Sequence, residues 1–342
     1  MNKRKTVLVT GCAGFIGMHI TSKLLKNNFN VIGIDNINNY YDIRIKKARL
    51  KLLSKNKNFK FFKKDLRKKN ILENIFKKHK FQRIVHLAAQ AGVRYSIKNP
   101  KNYIENNIDA FLYILEFCKN KKIKHLIYAS SSSVYGINKK HPFSEEDGVN
   151  HPISIYAVTK KTNELMAHTY SKLFNMATTG IRFFTVYGPY GRPDMALFKF
   201  TKNILENKTI EVFNKGEMYR DFTFIDDTID ALYKIIIKKP SEDKSFNAFH
   251  PKPHISSSNY RIFNIGNNKS IKLNRFIKLL EKEIKLKAKK KFLNMQLGDV
   301  KSTVASNKLL KKWINQKKAT PHAVGIKKFV QWYLDYFKIK KY

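Results

Sequence analysis

Tyr156 and Lys160 lie four positions apart, and their types and spacing suit proton transfer. On a helix, residues with this spacing lie on one face. A phenol has an ordinary pKa of about 10, which is too high for a base at neutral pH. A neighbouring ammonium group lowers that pKa, so the pair predicts a site that removes a proton from a hydroxyl group.

A run of serines, Ser130–Ser133, follows the apolar segment His125–Ala129, which is typical of a buried strand. Ligands of parallel α/β sheets bind at the carboxyl ends of the strands. A serine hydroxyl there can hold an alcohol oxygen and relay its proton, and Ser131 and Ser133 are the candidates. The alternative is a serine-rich turn beside an ordinary amphipathic helix.

Three glycines near the N-terminus, Gly11, Gly14 and Gly17, separate a strand-like segment from a helix-like segment. This spacing permits a tight turn and close approach of a pyrophosphate to the N-terminus of the helix. Asp35 ends the next predicted strand, where a carboxylate can bind the adenosine ribose and repel a 2′-phosphate. The pattern predicts NAD rather than NADP, and a helix cap is the alternative role of Asp35.

Short β-branched segments alternate with amphipathic segments through the first half of the chain. The predicted strands are Lys5–Thr10, Asn30–Ile34, Phe59–Lys63, Arg83–Leu87, His125–Ala129 and Thr178–Phe184. The predicted helices between them include Phe15–Lys26, Ile71–His79 and Asn106–Lys119. This alternation predicts an α/β fold with a Rossmann-like, doubly wound parallel sheet.

The alternation weakens in the second half, where a smaller mixed α/β lobe is expected. At roughly 150 residues per domain, a chain of 342 residues predicts two units. We predict a dinucleotide-binding domain over 1–182, to which the chain returns near 219–237 and 261–266, and a second lobe over 183–342. Strands near Asp221–Ile225 and Ile262–Ile265 are expected to rejoin the sheet. His250 and His254 lack a third ligand nearby, so we expect no metal site.

The charge is strongly basic, with 68 Lys and Arg against 25 Asp and Glu, a formal net charge of +43. Such an excess can indicate binding to nucleic acid or to a membrane surface. Here the basic residues are spread over the whole length among many Asn, Ile and Phe, the residues of AT-rich codons. We therefore expect no nucleic-acid partner and keep RNA binding as the alternative.

Cysteine use and hydropathy bear on the compartment. Two cysteines, Cys12 and Cys118, make no disulfide framework and suit a reducing environment. No apolar run approaches the roughly 18 residues of a membrane span. The N-terminal apolar stretch is interrupted by the glycines of the predicted loop, so we expect no targeting segment and a cytoplasmic protein.

Six motifs occur together along the chain: TGCAGFIG, HLAAQAGVRYS, YASSSSVYG, SIYAVTKKTNELMAHTY, IRFFTVYGPYGRPDMALFKF and YRDFTFIDD. In this combination the chain resembles, over essentially its whole length, the extended short-chain dehydrogenase/reductases. Among them it is most similar to the nucleotide-sugar 4-epimerases that act on UDP-glucuronate. The resemblance implies a retained NAD, a UDP-sugar substrate bound by the second lobe, and a homodimer formed through helices beginning near Asn106 and Ser154.

The resemblance also assigns roles to residues. It implies that Tyr156 is the base, that Lys160 is its partner, and that Ser131 is the catalytic hydroxyl, with Ser133 close enough to compete. The residues implied to bind NAD, besides Tyr156 and Lys160, are Gly11, Gly14, Phe15, Ile16, Gly17, Asp35, Asn36, Asp65, Leu66, Ala88, Ala89, Gln90 and Asn106. The residues implied to bind the substrate are Ser132, Arg94, Thr185, Arg192, Phe213, Asn214, Arg220 and Asp299.

Particular positions narrow the expected substrate. Related dehydratases and decarboxylases carry acidic residues where this chain has Ser132 and Ser133, which argues against elimination and decarboxylation. Thr185 and Arg192 resemble the carboxylate anchor of the glucuronate epimerases, since an Arg fork pairs with a planar carboxylate. Gln296 replaces a second diphosphate-binding arginine of many relatives, which puts that contact in doubt.

The expected reaction is therefore 4-epimerisation of UDP-glucuronate to UDP-galacturonate through a 4-keto sugar, for surface polysaccharide synthesis. The principal alternative is a 4-epimerase of another UDP-sugar, of the UDP-GlcNAc or UDP-glucose type. Two further alternatives are a non-catalytic RNA-binding protein of this fold and a membrane-associated scaffold for polysaccharide assembly.

Overall fold

The computed structural model describes residues 5–77, 79–316 and 318–339. Its strands are, in chain order, β1 (Thr6–Thr10), β2 (Asn30–Asp35), β3 (Phe59–Lys63), β4 (Arg83–His86), β5 (His125–Ser131), β6 (Thr178–Phe183), β7 (Thr185–Tyr187), β8 (Ile210–Phe213), β9 (Tyr219–Arg220), β10 (Phe222–Phe224), β11 (Tyr260–Ile265), β12 (Ile271–Lys272) and β13 (Lys290–Leu293).

The α-helices are α1 (Phe15–Lys26), α2 (Ile43–Leu53), α3 (Ile71–Phe76), α4 (Val93–Lys98), α5 (Pro100–Tyr103), α6 (Ala110–Asn120), α7 (Ile155–Phe174), α8 (Ala196–Leu205), α9 (Ile225–Ile237), α10 (Leu273–Ile284), α11 (Lys308–Trp313) and α12 (His322–Phe337). A π-helical segment, Ile104–Asp109, leads into α6. The helix predicted over Asn106–Lys119 therefore starts within this π-helical segment and continues as α6. The helix predicted over Ile71–His79 ends at Phe76, and Lys78 lies outside the described residues.

Seven strands form one parallel sheet in the order β11-β6-β5-β4-β1-β2-β3. Parallel sheets are covered on both faces, so their strands are mostly buried, and β6 and β11 are buried along their whole lengths. The order reverses between β1 and β4, which places a crevice at their carboxyl ends. The predicted Rossmann-like, doubly wound fold class is confirmed.

Alternate side chains of β1 enter two different apolar clusters. Val7 and Val9 belong to a cluster that contains Ile20 of α1 and much of α9. Leu8, between them, belongs to a cluster with Phe111 of α6. A strand directs successive side chains to opposite faces, so one layer of helices covers each face of the sheet.

One expectation about the return of the chain is wrong. The segment expected to rejoin the sheet near Asp221–Ile225 forms β10, which pairs in parallel with β7 in a separate two-stranded sheet. The edge of β6 is already occupied by β11, so β10 pairs with the strand that follows β6 instead. The helix that follows β10, α9, packs against α1 on one face of the sheet.

Short strand pairs and three helices complete the second half. Strand β8 pairs in parallel with β13, and β9 pairs antiparallel with β12. Helices α8, α10 and α12 pack together beside these pairs. The loops of this half lie over the carboxyl ends of the central strands, so they close one side of the crevice.

Candidate active site

A cavity of about 940 Å³ lies at the carboxyl ends of β1, β2, β4, β5 and β6. Every residue predicted to bind cofactor or substrate, or to catalyse, lines this cavity except Asn214. The Asn214 amide instead donates to the carbonyl of Glu217 over 3.4 Å, within the turn after β8. The prediction of Asn214 beside the substrate therefore finds no support in its position, whereas its neighbour Phe213 does line the cavity.

The glycine loop after β1 meets the end of β4 at van der Waals distance. Gly11 has a φ of +71°, and a Cβ there would lie 2.7 Å from the backbone nitrogen of Ala88. A Cβ on Gly17 would lie 2.0 Å from the Gly11 carbonyl oxygen. Only glycine fits both positions, and the free N–H groups that begin α1 are left at the cavity wall. This cradle fits the pyrophosphate of a dinucleotide.

Asp35 holds the same loop from the end of β2. Its Oδ2 accepts a hydrogen bond from the Ala13 backbone N–H over 3.2 Å, and its Oδ1 accepts one from the N–H of Ile37 over 2.8 Å. Burial raises the pKa of Asp35, and these hydrogen bonds oppose the rise. The N-cap of the next helix is Asp42, so the alternative role of Asp35 as a helix cap is wrong.

Asn107, which the sequence analysis missed, joins the loop after β4 to helix α7. Its side-chain amide donates to the Gln90 carbonyl and to the Thr159 hydroxyl, each over 3.0 Å. Its Oδ1 accepts from the Gln90 N–H over 2.8 Å. The predicted residue, Asn106, lines the cavity, and its amide donates to Asn102. A polar residue at a buried position of an amphipathic segment was the available signal for Asn107.

Helix α7 presents Tyr156 and Lys160 to the cavity. The helix begins there because the Ser154 hydroxyl accepts a hydrogen bond from the Ala157 N–H over 3.1 Å. The Lys160 ammonium donates to the Ala129 carbonyl of β5 over 2.8 Å. Burial lowers the pKa of Lys160 to about 8.

Ser131 is the serine of the run that acts directly on Tyr156. Burial raises the pKa of Tyr156, while the Ser131 hydroxyl and the Arg192 charge oppose that rise. The Ser131 hydroxyl donates to the Ser133 hydroxyl and accepts from the Ser133 backbone N–H, each over 3.2 Å. Ser133 therefore supports Ser131.

A buried ion pair lies behind the serine turn. Arg182 of β6 donates from Nε and Nη2 to both carboxylate oxygens of Glu164, over 2.9 and 3.0 Å. The Ser130 hydroxyl donates to the same carboxylate over 2.6 Å. Because Glu164 lies one turn beyond Lys160 on α7, the ion pair fixes this helix to β6, and the Ser130 hydrogen bond fixes it to the end of β5. Neither Glu164 nor Arg182 was predicted from the sequence as a site residue.

Arg192 reaches the cavity from the turn after β7 and is paired with Asp194. Nε of Arg192 donates to Oδ1 of Asp194 over 3.0 Å, and Nη2 donates to Oδ2. Burial favours a lower pKa of Arg192, but the Asp194 carboxylate outweighs it and the pKa is raised. The Arg192 charge also acts on the Tyr156 phenol, which places the guanidinium near the predicted base.

Arg94, Phe213, Arg220 and Asp299 converge at the cavity wall formed by the second half of the chain. The Arg94 guanidinium lies 4.4 Å from the Phe213 ring centroid and donates to Oδ2 of Asp299 over 2.8 Å. Burial lowers the pKa of Arg220, whereas Asp299 acts to raise it. The site combines an aromatic face, two guanidinium groups and a carboxylate. Gln296 does not line the cavity.

Thr185 and Ser132 line the cavity with these groups. The Thr185 backbone N–H donates to the Asp221 carbonyl over 3.2 Å, which fixes the start of β7 beside β10. Among the described residues, no group of three or more His, Cys, Asp or Glu could hold a metal ion. Within the same residues, no helix is long and apolar enough to cross a bilayer.

The NAD dependent epimerase/dehydratase family matches residues 7–266. The chain belongs to this family. It is 49% identical to Protein CapI of Staphylococcus aureus over 332 residues, which cover 97% of this chain and 99% of that protein. It is 43% identical to UDP-glucuronate 4-epimerase 4 of Arabidopsis thaliana over 341 residues, which cover 98% of this chain and 77% of that protein.

A solved structure gives the same result. The crystal structure of UDP-glucuronic acid 4-epimerase from Bacillus cereus, in complex with UDP-glucuronic acid and NAD, is similar with a TM-score of 0.86 and 32% identity. The similarity covers 97% of this chain and 99% of that chain. The predicted family and the predicted cofactor, NAD, are confirmed.

Proposed function

We propose that the protein interconverts UDP-glucuronate and UDP-galacturonate by inverting C4 of the sugar. The observation that carries this proposal is the position of Arg192, which lines the same cavity as Tyr156 and the serine turn. A guanidinium in the cavity of the predicted base suits a sugar with a carboxylate near the reacting carbon. Asp194 occupies the Nε and Nη2 donors on one edge of the guanidinium, so the Nη1 side is the one proposed to meet the sugar carboxylate, a group that a neutral hexose lacks.

The broader class has independent support. Family membership and the named relatives support an NAD-dependent UDP-sugar 4-epimerase. The glycine cradle, Asp35 and the Ala88–Gln90 loop would hold NAD, which supplies a reversible hydride acceptor when it is bound. Since the hydride returns to the same sugar, the reaction needs no second redox substrate.

Tyr156 is proposed to move the proton. Its phenolate oxygen removes the proton of the C4 hydroxyl, and the Ser131 hydroxyl hydrogen-bonds the same sugar oxygen. The buried Lys160 ammonium places a positive charge on the helix that carries the phenol, which favours the phenolate. After the 4-keto sugar turns its other face to the site, Tyr156 returns the proton to the oxygen at C4.

Arg192 is also proposed to protect the intermediate. The 4-keto form of a uronic acid is a β-keto acid, and it loses carbon dioxide when the C5–C6 bond breaks and the electron pair of that bond is delocalised onto the C4 ketone oxygen as an enolate. A guanidinium paired with the carboxylate stabilises the ionised group and opposes that movement. The hydroxyl residues Ser132 and Ser133 supply no carboxylate beside C4 to assist elimination.

The nucleotide end of the substrate is assigned to the opposite wall. The Phe213 ring offers an apolar face for a uracil, Arg220 and Arg94 offer positive charge for the diphosphate, and Asp299 can accept from ribose hydroxyls. The sugar then lies between this wall and Tyr156. In this arrangement Phe213, Arg220 and Asp299 of the second half bind the nucleotide, while Arg94 of the first half shares the contact to the diphosphate.

Two further assignments concern the assembly and its setting. Leu112 of α6 and Val158 and Leu165 of α7 are exposed apolar residues on helices that pack together, and we assign this face to a homodimer contact. Cys12 and Cys118 are both free and buried, which fits a reducing cytoplasm. UDP-galacturonate made there would supply surface polysaccharide synthesis.

The deciding experiment is incubation of the purified protein with UDP-glucuronate and no added NAD, read by proton NMR. Accumulation of UDP-galacturonate is the expected result, and it would also show that NAD is retained through purification. A matched Tyr156→Phe variant should form none. UDP-xylose or a 4-keto-pentose as the product, or turnover of UDP-GlcNAc or UDP-glucose alone, would overturn the proposed substrate.

A further inference from the structure

Arg49 of α2 is fully buried and carries a positive charge without an ion-pair partner. None of its surface is exposed, and among the described residues no carboxylate oxygen lies within 4.0 Å of its nitrogens. Charged side chains in protein interiors are normally paired, because an uncompensated buried charge is strongly destabilising. A buried arginine without a carboxylate partner therefore needs compensation from some other source.

Neutral acceptors satisfy the whole guanidinium fork. An arginine has five N–H donors. Nε and Nη2 donate to the Tyr190 carbonyl over 3.1 and 2.7 Å, and Nη2 donates again to the Gly191 carbonyl over 3.1 Å. Nη1 donates to the Ala13 carbonyl over 3.0 Å and to the Tyr41 hydroxyl over 2.8 Å. One side chain thus connects two loops that are far apart in sequence.

The first of these loops is the glycine cradle. Ala13 lies between Gly11 and Gly14, and Arg49 holds its carbonyl while Asp35 holds its N–H. Both polar groups of this residue are therefore fixed by charged side chains from outside the loop. The N–H groups at the start of α1 remain available for the cofactor, in an orientation that Arg49 and Asp35 set together.

The second loop carries Arg192. Tyr190 has a φ of +57°, a left-handed conformation that is strained for a residue with a side chain. Arg49 donates three hydrogen bonds to the carbonyls of Tyr190 and Gly191, the two residues just before Arg192. These bonds stabilise the strained turn and thereby fix where the Arg192 backbone enters the cavity.

The local charge balance points to an anion. The charged groups that act on one another here are Arg49, Lys46 and Arg192 against Asp35 and Asp194, so the positive groups exceed the negative ones by one. A dinucleotide bound on the glycine cradle brings two negative phosphates to this region. Its binding would compensate the charge that Arg49 buries.

We propose that Arg49 is a positioning residue that couples NAD retention to recognition of the acidic group of the substrate. It holds the cofactor loop and the Arg192 turn in one arrangement, so each ligand favours the arrangement that the other needs. Binding linkage is reciprocal. Bound NAD therefore strengthens the contact of Arg192 to the sugar carboxylate, and the bound sugar carboxylate slows the release of NAD. The carboxylate half of this inference rests on the proposed function.

The test measures NAD release from the purified holoenzyme. Protein is gel-filtered after increasing times in buffer with UDP-glucuronate, with UDP alone or with neither, and the retained NAD is quantified after denaturation. Wild-type protein should lose NAD about tenfold more slowly with UDP-glucuronate than with UDP. The Arg49→Met variant should release NAD faster and lose the difference between the two nucleotides.

Two variants serve as controls. Arg44→Met removes an exposed arginine of the same helix and should leave both release rates unchanged. Tyr41→Phe removes one acceptor of Arg49 but no charge, so it should fold and reduce the effect of the sugar partially. It keeps the test decisive if Arg49→Met does not fold. Unchanged NAD release in Arg49→Met, or an unchanged sugar effect in Tyr41→Phe when Arg49→Met is insoluble, would overturn the coupling.

The outcomes separate this inference from the proposed function. If wild-type protein turns over another UDP-sugar but not UDP-glucuronate, the proposed substrate fails while the NAD-release comparison for Arg49→Met still applies. If wild-type protein makes UDP-galacturonate but releases NAD at the same rate with UDP-glucuronate as with UDP, only the coupling is wrong. A uniform loss of thermal stability, equal with and without NAD, would indicate a merely structural arginine and contradict the proposal.

Discussion

The ammonium group of Lys160 donates a hydrogen bond to the Ala129 carbonyl at the end of β5, over 2.8 Å. The next four residues of that strand and its turn are Ser130–Ser133, of which Ser131 acts on Tyr156. One hydrogen bond therefore ties the helix of the predicted base to the strand that carries the predicted hydroxyl. Lys160 is buried where it makes this hydrogen bond, and burial lowers its pKa to about 8.

The first prediction concerns Lys160 and pH. Its folded-state pKa of about 8 lies below the value of about 10.4 in an unfolded chain, so the charged form destabilises the fold below pH 8. That penalty is relieved as pH rises from about 8 to 10. In protein stripped of NAD, Lys160→Met should therefore unfold at a higher temperature than wild type at pH 7, with the difference shrinking above pH 8.

The same variant should lose activity. A lysine that supports a phenolate contributes to general base catalysis, for which losses of about 10²–10⁴-fold in kcat are typical. Thermal unfolding at several pH values and an epimerase assay check both parts. A lower unfolding temperature at pH 7 for Lys160→Met would show that the hydrogen bond to Ala129 outweighs the burial of the charge.

The second prediction separates the two candidate serines. Ser131 acts directly on Tyr156, whereas Ser133 reaches Ser131 through its hydroxyl and its backbone N–H. Ser131→Ala should lower kcat by about 10²-fold, and Ser133→Ala by much less, since the backbone N–H remains. KM should change little in either variant. Equal losses of kcat would assign the proton relay to the pair rather than to Ser131.

The third prediction concerns substrate choice. Arg192→Lys keeps a positive charge but lacks the planar fork that pairs with a carboxylate. The value of kcat/KM for UDP-glucuronate should therefore fall by about 10²-fold. Any residual activity on UDP-glucose should fall less. Arg192→Met should show a larger loss and release some UDP-xylose, because the β-keto acid is no longer paired. Ion-pair chromatography of the products measures these changes. Equal losses of kcat/KM on UDP-glucuronate and UDP-glucose would show that Arg192 does not recognise the carboxylate.

The fourth prediction concerns stability. Glu164→Gln would leave the Arg182 charge buried without its partner, which should lower the free energy of unfolding by about 3–5 kcal/mol. The pKa of Glu164 is lowered because the charge and hydrogen bonds of Arg182 outweigh burial, so the stabilisation is lost as pH falls below about 4. Glu206→Gln removes an exposed pair with Lys208 and should change stability by no more than about 1 kcal/mol. Urea unfolding of both variants makes the comparison.

The interior strands of the central sheet are predictable from the sequence because they are buried on both faces, whereas the edge strand β3 is recognised by its β-prone Phe residues although none of its residues is buried. The predicted strand Phe59–Lys63 and the predicted helix Phe15–Lys26 have the bounds found in the structure. A continuous apolar run or a helical period identifies such elements without knowledge of their neighbours. The placement of β10 required knowledge that β11 already occupies the edge of β6, which no local pattern contains.

The same reason explains which site residues were missed. Arg49 lies among lysines on an amphipathic helix, where it resembles a solvated residue, yet its partners Tyr190 and Gly191 lie far along the chain. Asp194 lies two residues after Arg192 in sequence, but only the structure shows that its carboxylate pairs with the Nε and Nη2 edge of the guanidinium. Sequence motifs identify residues that contact ligands. The residues that position them are found only from contacts between segments far apart in the chain.

The last prediction concerns the exposed apolar face of α6 and α7. Val158 and Leu165 are two turns apart on α7 and are 38% and 57% exposed, so they present one apolar stripe beside Leu112 of α6. A charge buried in a contact between two such stripes is strongly unfavourable. Leu165→Lys should therefore convert the proposed dimer to monomer at micromolar concentration, measured by light scattering after gel filtration.

Leu52→Lys provides the matched control, because Leu52 is an exposed leucine of α2 away from this face. It should leave the molar mass unchanged. Both variants should retain the helical circular dichroism of the wild type, since neither side chain belongs to the core. A monomeric wild type, or a Leu165→Lys variant that remains dimeric, would mean that this stripe does not join two copies of the chain.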